Sequence, residues 1–251
     1  VPTKVIRGGD ALVGCSLSFG TSVANAKNVD GSQGDDVLVG APQCDSSEQG
    51  TAFIFFSDGA ADGVFSTPSW QFSSGQNLAH LGIAVAGVGD VNGDGLPDFA
   101  VGAPDFDRAQ NAPDWGRVYV FAGNTTGNLP STIPGVSPLG SSNFQHFGAA
   151  IAGGADVNRD LLADMIVGSP GWSSGAGRID VLRGSALTGV EFYGSFVTGQ
   201  ANEAAGSSVA MGQVDQTTAA VDRYGDVAYT YPGDDGAFVD EGLAVIRLGG
   251  W

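Results

Sequence analysis

The stretch from Gly82 to Pro104, GIAVAGVGDVNGDGLPDFAVGAP, constrains this chain more than any other, because it holds both an array of cation ligands and one unit of a repeat. Asp90, Asn92, Asp94 and Asp98 place hard oxygen donors at positions 1, 3, 5 and 9 of a nine-residue loop. Gly95 at position 6 lets the chain turn without a Cβ, so that the backbone carbonyl of Leu96 at position 7 can point at the same ion. Oxygen donors with no His or Cys among them favour Ca2+ over Zn2+ or Cu2+.

The pattern recurs. Aligned on the proline that closes VGAP, the loops are Asn28 to Asp36, Asp90 to Asp98 and Asp156 to Asp164, and the strands after them end at Pro42, Pro104 and Pro170. Each loop begins nine residues after an aromatic-or-leucine plus glycine pair, namely Phe19-Gly20, Leu81-Gly82 and Phe147-Gly148. Strand-like segments follow after Gly50, Gly116 and Gly177: TAFIF, RVYVF and RIDVL. A worn fourth copy starts at Ala205-Gly206, keeps Asp226-Val227 ahead of Pro232 and finishes with GLAVI. Starts near 19, 81, 147 and 205 give a period of about 60 residues, which belongs to a solenoid or propeller.

This grammar resembles the FG-GAP repeat of integrin α-chain N-terminal propellers and of secreted bacterial proteins, over roughly residues 15 to 251. The resemblance implies an all-β propeller with one four-stranded blade per repeat and the calcium loop between the first two strands on the lower face. Four blades in a single domain over residues 1 to 251 are expected. The last repeat ends after its third strand, and KVIRGG near the N-terminus resembles the third-strand endings DVLRGS and AVIRLGG. Lys4 to Ser18 is therefore expected to pair as a strand with the fourth blade and close the ring.

Composition agrees independently. Forty-one glycines and no sustained helical periodicity suit many short strands and tight turns. A net charge of -17 with only ten scattered Lys and Arg argues against nucleic-acid binding, and no apolar run reaches membrane-spanning length. The opening VPTKV carries neither Met nor an apolar leader, which implies a removed leader or an excised fragment. Loops of this kind fill where calcium is millimolar, so secretion or surface display is expected.

The loops rank by chemistry. The second is complete, with the side chains of Asp90, Asn92, Asp94 and Asp98 and the carbonyl of Leu96. The third has Asp156, Asn158, Asp160, Asp164 and the Leu162 carbonyl, but Leu161 at position 6 and Arg159 within the turn, which predicts strain. The first has Asn28, Asp30, Ser32, Asp36 and the Gly34 carbonyl, with two carboxylates only; Asp35 should point away. The fourth opens with Gln213 and Asp215 and loses its spacing. Two Ca2+ sites are expected, with a third at the first loop.

In the family topology Cys15 and Cys44 flank the first inner strand near the upper face. A disulfide between them would stabilise by about 3 to 4 kcal/mol in the chain-entropy model; the alternative is two buried thiols. That upper face, opposite the calcium loops, carries ligand contacts in integrins. Here it would hold Phe106 and Trp115 in the loop DFDRAQNAPDWG and Trp172 in the third repeat, as ligand platforms or as packing. His80 and His146 stand directly before the Leu-Gly and Phe-Gly pairs, and equivalence across repeats reads as structural. No catalytic motif is present. The expected function is a calcium-stabilised extracellular adhesion or ligand-binding module for a protein or glycan, not an enzyme; the alternatives are a lectin and a polysaccharide-active enzyme.

Overall fold

A computed structural model describes residues 6–11, 15, 17–32, 34–57, 67–109, 113–124, 131–132, 140, 142–197, 201–212, 225–232 and 243–247. Strands β1 (Ser22–Lys27), β2 (Asp36–Ala41), β3 (Thr51–Phe55) and β4 (Trp70–Ser73) form one antiparallel sheet in chain order. The second sheet is β5 (Val85–Gly89), β6 (Asp98–Ala103), β7 (Arg117–Ala122) and β8 (Ser131–Thr132). The third is β9 (Ala150–Ala155), β10 (Asp164–Ser169), β11 (Arg178–Ser185) and β12 (Gly189–Val197). The fourth holds β13 (Val209–Gly212), β14 (Asp226–Tyr231) and β15 (Leu243–Arg247) among the described residues. This is the all-β, four-bladed arrangement expected from the repeats, one sheet to a blade.

Blades stack face to face, which explains why their second strands are apolar throughout. DFAVGA of β6 and DMIVGS of β10 are buried at every residue, as a strand covered on both sides must be. Three layers between successive blades make the core. Leu38, Ile54 and Trp70 share a layer with Phe99 and Phe121; Ala100, Val118 and Val120 with Met165 and Val167; Ile166, Ile179 and Val181 with Val227 and Tyr229. Leu81, Phe147 and Ala205 plug these layers from the start of the following blade.

The two halves of the repeat signature meet at these joints. The amide of Gly82 donates to the carbonyl of Gly102 at 2.8 Å, and that of Gly148 to Gly168 at 3.1 Å, within one blade. Across the joint, a Cβ on Gly40 would strike the carbonyl of Gly82, one on Gly102 that of Gly148, and one on Gly168 that of Gly206. Backbone lies against backbone at all three joints, so only glycine fits.

The two ends of the array depart from this pattern. Lys4 to Ser18 does not form the expected closing strand in its described part. Residues Gly8–Ala11 make a short helix, α1, while Ile6, Cys15 and Phe19 pack with Val39, Phe53 and Phe55 on the free face of the first blade. The described part of the segment thus covers that face of the blade as a cap; residues 1–5 lie outside the described residues. The cap is tied down by the expected disulfide, Cys15 to Cys44. At the other end Thr230 stands where the first three blades have Gly40, Gly102 and Gly168, and Gly206 donates to its carbonyl at 3.0 Å. Among the described residues nothing covers the outer face of this blade: Ile246 is 57% exposed, whereas its register counterparts Ile54, Val120 and Val181 are fully buried.

Candidate metal loops and upper face

The three intact loops fall where the sequence places them, each joining the first two strands of its blade at the same end. The side chains are gathered by backbone amides. Asp90 accepts from the amides of Gly93 (2.6 Å), Asp94 (3.2 Å) and Gly95 (2.8 Å), Asn92 from Asp94 (2.8 Å), and Asp94 from Leu96 (2.9 Å). The third loop repeats this arrangement: Asp156 accepts from Arg159 (2.6 Å) and Leu161 (3.0 Å), Asn158 from Asp160 (2.9 Å), and Asp160 from Leu162 (2.9 Å).

The position-9 carboxylates are buried and clamped. Asp98 accepts from Val91 (2.9 Å) and Gly123 (3.0 Å), Asp36 from Val29 (2.9 Å) and Ser57 (2.9 Å), and Asp164 from Val157 (2.6 Å) and Gly184 (2.9 Å). Burial pushes the Asp98 carboxyl up to about 7 and those of Asp36 and Asp164 to about 6. The amide bonds oppose that rise, and neighbouring carboxylates add to it: Asp94 and Asp90, Asp30, and Asp160 and Asp156 respectively.

The donor set suits a hard cation. Every side chain in it offers oxygen, and an oxygen that accepts one amide keeps a second lone pair. Asn28 Oδ1, at position 1 of the first loop, is buried with no hydrogen-bond partner, an acceptor lacking its donor. Among the described residues, no three acidic, His or Cys side chains are grouped as a metal ion would need them, and the loop carboxylates are turned onto amides. Backbone strain separates the loops as predicted. Position 6 is Gly95 at φ 88° in the second and Leu161 at φ 74° in the third, with Arg159 at φ 66° where the second has Gly93. In the first loop Asp35 turns outward to Asn25 (2.7 Å) and Lys27 (3.6 Å). Gln213 and Asp215 of the fourth loop lie outside the described residues.

The opposite end carries the turns between second and third strands and the links between blades. They run together: Leu78 donates to Ser47 O (2.9 Å) and His80 to Glu48 O (3.2 Å), while Phe144 donates to Pro113 O (3.0 Å) and His146 to Asp114 O (3.0 Å). Trp115 is half-buried, with Nε1 donating to Asn143 Oδ1 at 2.6 Å and the Arg108 guanidinium 4.6 Å above its ring. Trp172, in the short helical turn α2 (Trp172–Gly175), has Arg178 at 6.0 Å. Phe106, partly buried, packs against the core between blades 1 and 2 and lies under Arg117 at 4.4 Å.

Two exposed apolar residues escaped the sequence reading. Leu78 and Phe144 hold equivalent positions three residues before Leu81 and Phe147, at left-handed φ of 59° and 55°, with more than half of each in solvent. A pocket of about 380 Å³ opens on the same face, lined by Ser18, Thr21, Pro42, Gln43, His80, Ile83, Pro104 and Asp105. The signal for Leu78 and Phe144 was their matched offset in two repeats.

Stacked antiparallel blades, joined glycine to glycine at three joints and carrying aspartate loops at one end of three of them, have the architecture of a β-propeller. The family model for the FG-GAP repeat matches residues 81–121, the second blade from its opening Leu-Gly pair to the end of its third strand. The chain thus carries an FG-GAP repeat in its second blade and is similar to integrin alpha chains. It is 35% identical to human (Homo sapiens) integrin alpha-6 over 163 residues, 62% of this chain and 13% of that protein. It is 34% identical to Drosophila melanogaster integrin alpha-PS2 over 162 residues, 60% and 11% of the two chains, and 34% identical to Mus musculus integrin alpha-3 over 157 residues, 60% and 14%. The match thus spans little more than a tenth of each relative's length. Among the described residues no helix is long and apolar enough to cross a membrane.

Proposed function

We propose that this protein is an extracellular binding module: a propeller whose lower loops hold Ca2+ and whose upper face presents an adhesion surface to a protein ligand. The observation that carries the metal half is the repetition of one oxygen-only loop on one end of three blades, with the orphaned acceptor of Asn28 as its independent support. The ligands would be Asp90, Asn92, Asp94, Asp98 and the Leu96 carbonyl; Asp156, Asn158, Asp160, Asp164 and the Leu162 carbonyl; and Asn28, Asp30, Ser32, Asp36 and the Gly34 carbonyl. Bound Ca2+ would neutralise carboxylates that burial and mutual repulsion now disfavour, and pin the hairpins from which each blade starts.

The binding half rests on likeness to integrin alpha chains and on the upper face itself. Leu78 and Phe144 stand out from strained backbone into solvent, and Trp115 and Trp172 lie among polar neighbours in the same row of loops. Exposed apolar and aromatic side chains of this kind anchor protein interfaces. Surface plasmon resonance against a panel of extracellular-matrix proteins, with and without chelator, tests the reading. Binding to one of them that Leu78→Ser and Phe144→Ser abolish without lowering the melting temperature is expected. Binding confined to a glycan array would favour a lectin instead, and no binding in either format would overturn the proposal.

A further inference from the structure

The two histidines of the chain meet at one carboxylate. His80 Nδ1 lies 2.6 Å from Asp105 Oδ2, and His146 Nδ1 lies 2.7 Å from Asp105 Oδ1. The other ring nitrogen of His80, Nε2, lies 2.8 Å from Glu48 Oε2. Glu48 comes from the turn between β2 and β3, His80 from the link into the second blade, Asp105 from the loop between β6 and β7, and His146 from the link into the third blade. Four side chains therefore tie the upper loops of three blades into one chain of contacts.

The geometry sets the protonation of His80. A neutral imidazole has one N–H, but both His80 nitrogens face carboxylate oxygens at hydrogen-bond distance, so both contacts need the imidazolium. We infer that Glu48, His80, Asp105 and His146 form a proton-linked clamp across the upper face, closed while His80 is charged and opened when it loses its proton. On deprotonation one ring nitrogen turns a lone pair towards a carboxylate. The contact to Glu48 yields first, since that side chain is 41% exposed against 28% for Asp105. Among the described residues, the charged groups that act on the two rings are Glu48, Asp105 and Asp114, with Asp107 acting on Asp114, and all are acidic.

The direction in pH follows. For His80, burial disfavours the charge, but the hydrogen bonds and charges of Glu48 and Asp105 outweigh it and raise the pKa above 6.5. For His146 the bond to Asp105 raises it, against burial. Folded values above the unfolded one mean that the clamp's stabilisation is complete below 6.5 and is lost as pH rises through the folded values. Burial works against the Asp105 charge, yet the bonds from His146 and His80 hold its pKa below the ordinary carboxylate value, so the clamp persists into mild acid. The clamp also holds what precedes it: Leu78 and Phe144 each stand two residues before a clamp histidine, and His80 and His146 are themselves left-handed at φ 50° and 56°.

Because the chain has only two histidines, NMR titration of their ring protons reads the clamp directly, with His146→Gln assigning the signals. Both midpoints should lie above 6.5 in the unaltered protein. Glu48→Gln, at a half-exposed turn, should lower the His80 midpoint and leave that of His146 in place; Asp105→Asn should lower both. The melting temperature should fall from pH 6 to pH 9, and His80→Gln should make that fall smaller, the remainder coming from His146 and from the raised carboxyls of Asp98, Asp36 and Asp164. A His80 midpoint at or below 6.5 overturns the clamp even if Asp105→Asn fails to fold, as does a His80 midpoint indifferent to Glu48→Gln. These readouts need no ligand, so they stand or fall apart from the adhesion reading.

Discussion

Strands β10 and β14 occupy the same place in neighbouring blades, yet DMIVGS is buried at every residue and DVAYTY alternates, with Ala228 and Thr230 half-buried. In β10, Gly168 receives the carbonyl of Gly206 from the next blade; in β14, Thr230 projects a side chain from the equivalent position. The signature glycine is thus demanded by the neighbouring blade and not by the blade that contains it. Where the described residues leave the outer face of β14 uncovered, the sequence has lost the glycine, the continuous apolar run and the aspartate loop together.

The sharpest way to break this comparison is to exchange the two residues. Gly168→Thr drives a side chain into the Gly206 carbonyl and should cost about 3 kcal/mol or more, read as a large fall in denaturation midpoint, since backbone cannot give way as a side chain can. Thr230→Gly should cost less than about 1 kcal/mol, the ordinary penalty of glycine in a strand. Similar losses for the two would mean that the joint does not set the glycine.

The capped end offers a second contrast with the open one. Cys15→Ser with Cys44→Ser releases a cap held by a crosslink spanning 29 residues and should cost about 3 kcal/mol in equilibrium unfolding. The loss should appear first as faster amide exchange in β2 and β3, beneath the cap.

If the loops hold calcium as proposed, its removal should distinguish the blades themselves. An ion at one hundred times its dissociation constant stabilises by about 2.7 kcal/mol per site, so excess chelator should lower the melting temperature. Asp94→Ala should lower it more than Asp30→Ala. Chelation should also speed exchange in the hairpins of β5 and β6 and of β9 and β10, while β13 and β14, with no intact loop, stay unchanged. An unaltered melting curve in chelator would remove calcium from the fold's stability.

The smallest effect should be a gain. Leu161 is 92% exposed at φ 74°, so its side chain returns little for a left-handed backbone. Leu161→Gly relieves roughly 1 kcal/mol and should bring the third loop's calcium affinity closer to that of the second in a calorimetric titration.

What could be read before any coordinates were the features whose cause is local. The order Asp, Asn, Asp, Gly, Asp over nine residues needs only a tight turn to gather its oxygens, so Asp90 to Asp98 and Asp156 to Asp164 announced themselves, as did the strain at Leu161. The repeat spacing carried the blades, because each blade is built from strands adjacent in sequence. Closure by the N-terminal segment is not seen among the described residues, for the opposite reason. KVIRGG resembles a third-strand ending, but a strand needs a free edge at the right place, and the described residues from Ile6 to Phe19 instead cover Phe53 and Phe55.

The sequence by itself determined the repeat and the candidate cation loops, which follow from spacing within and between repeats; the propeller class and the pairing of Cys15 with Cys44 came in through the resemblance that those repeats carry. Only the tertiary structure decided which residues answer one another across blades. His80 and Asp105 are 25 residues apart and His146 and Asp105 are 41, and no spacing rule links them; they meet because stacked blades bring equivalent turns side by side. The same stacking decided that Gly168 must lack a side chain and that Thr230 need not, since a face-to-face contact between backbones is a property of two blades and cannot be read from either one.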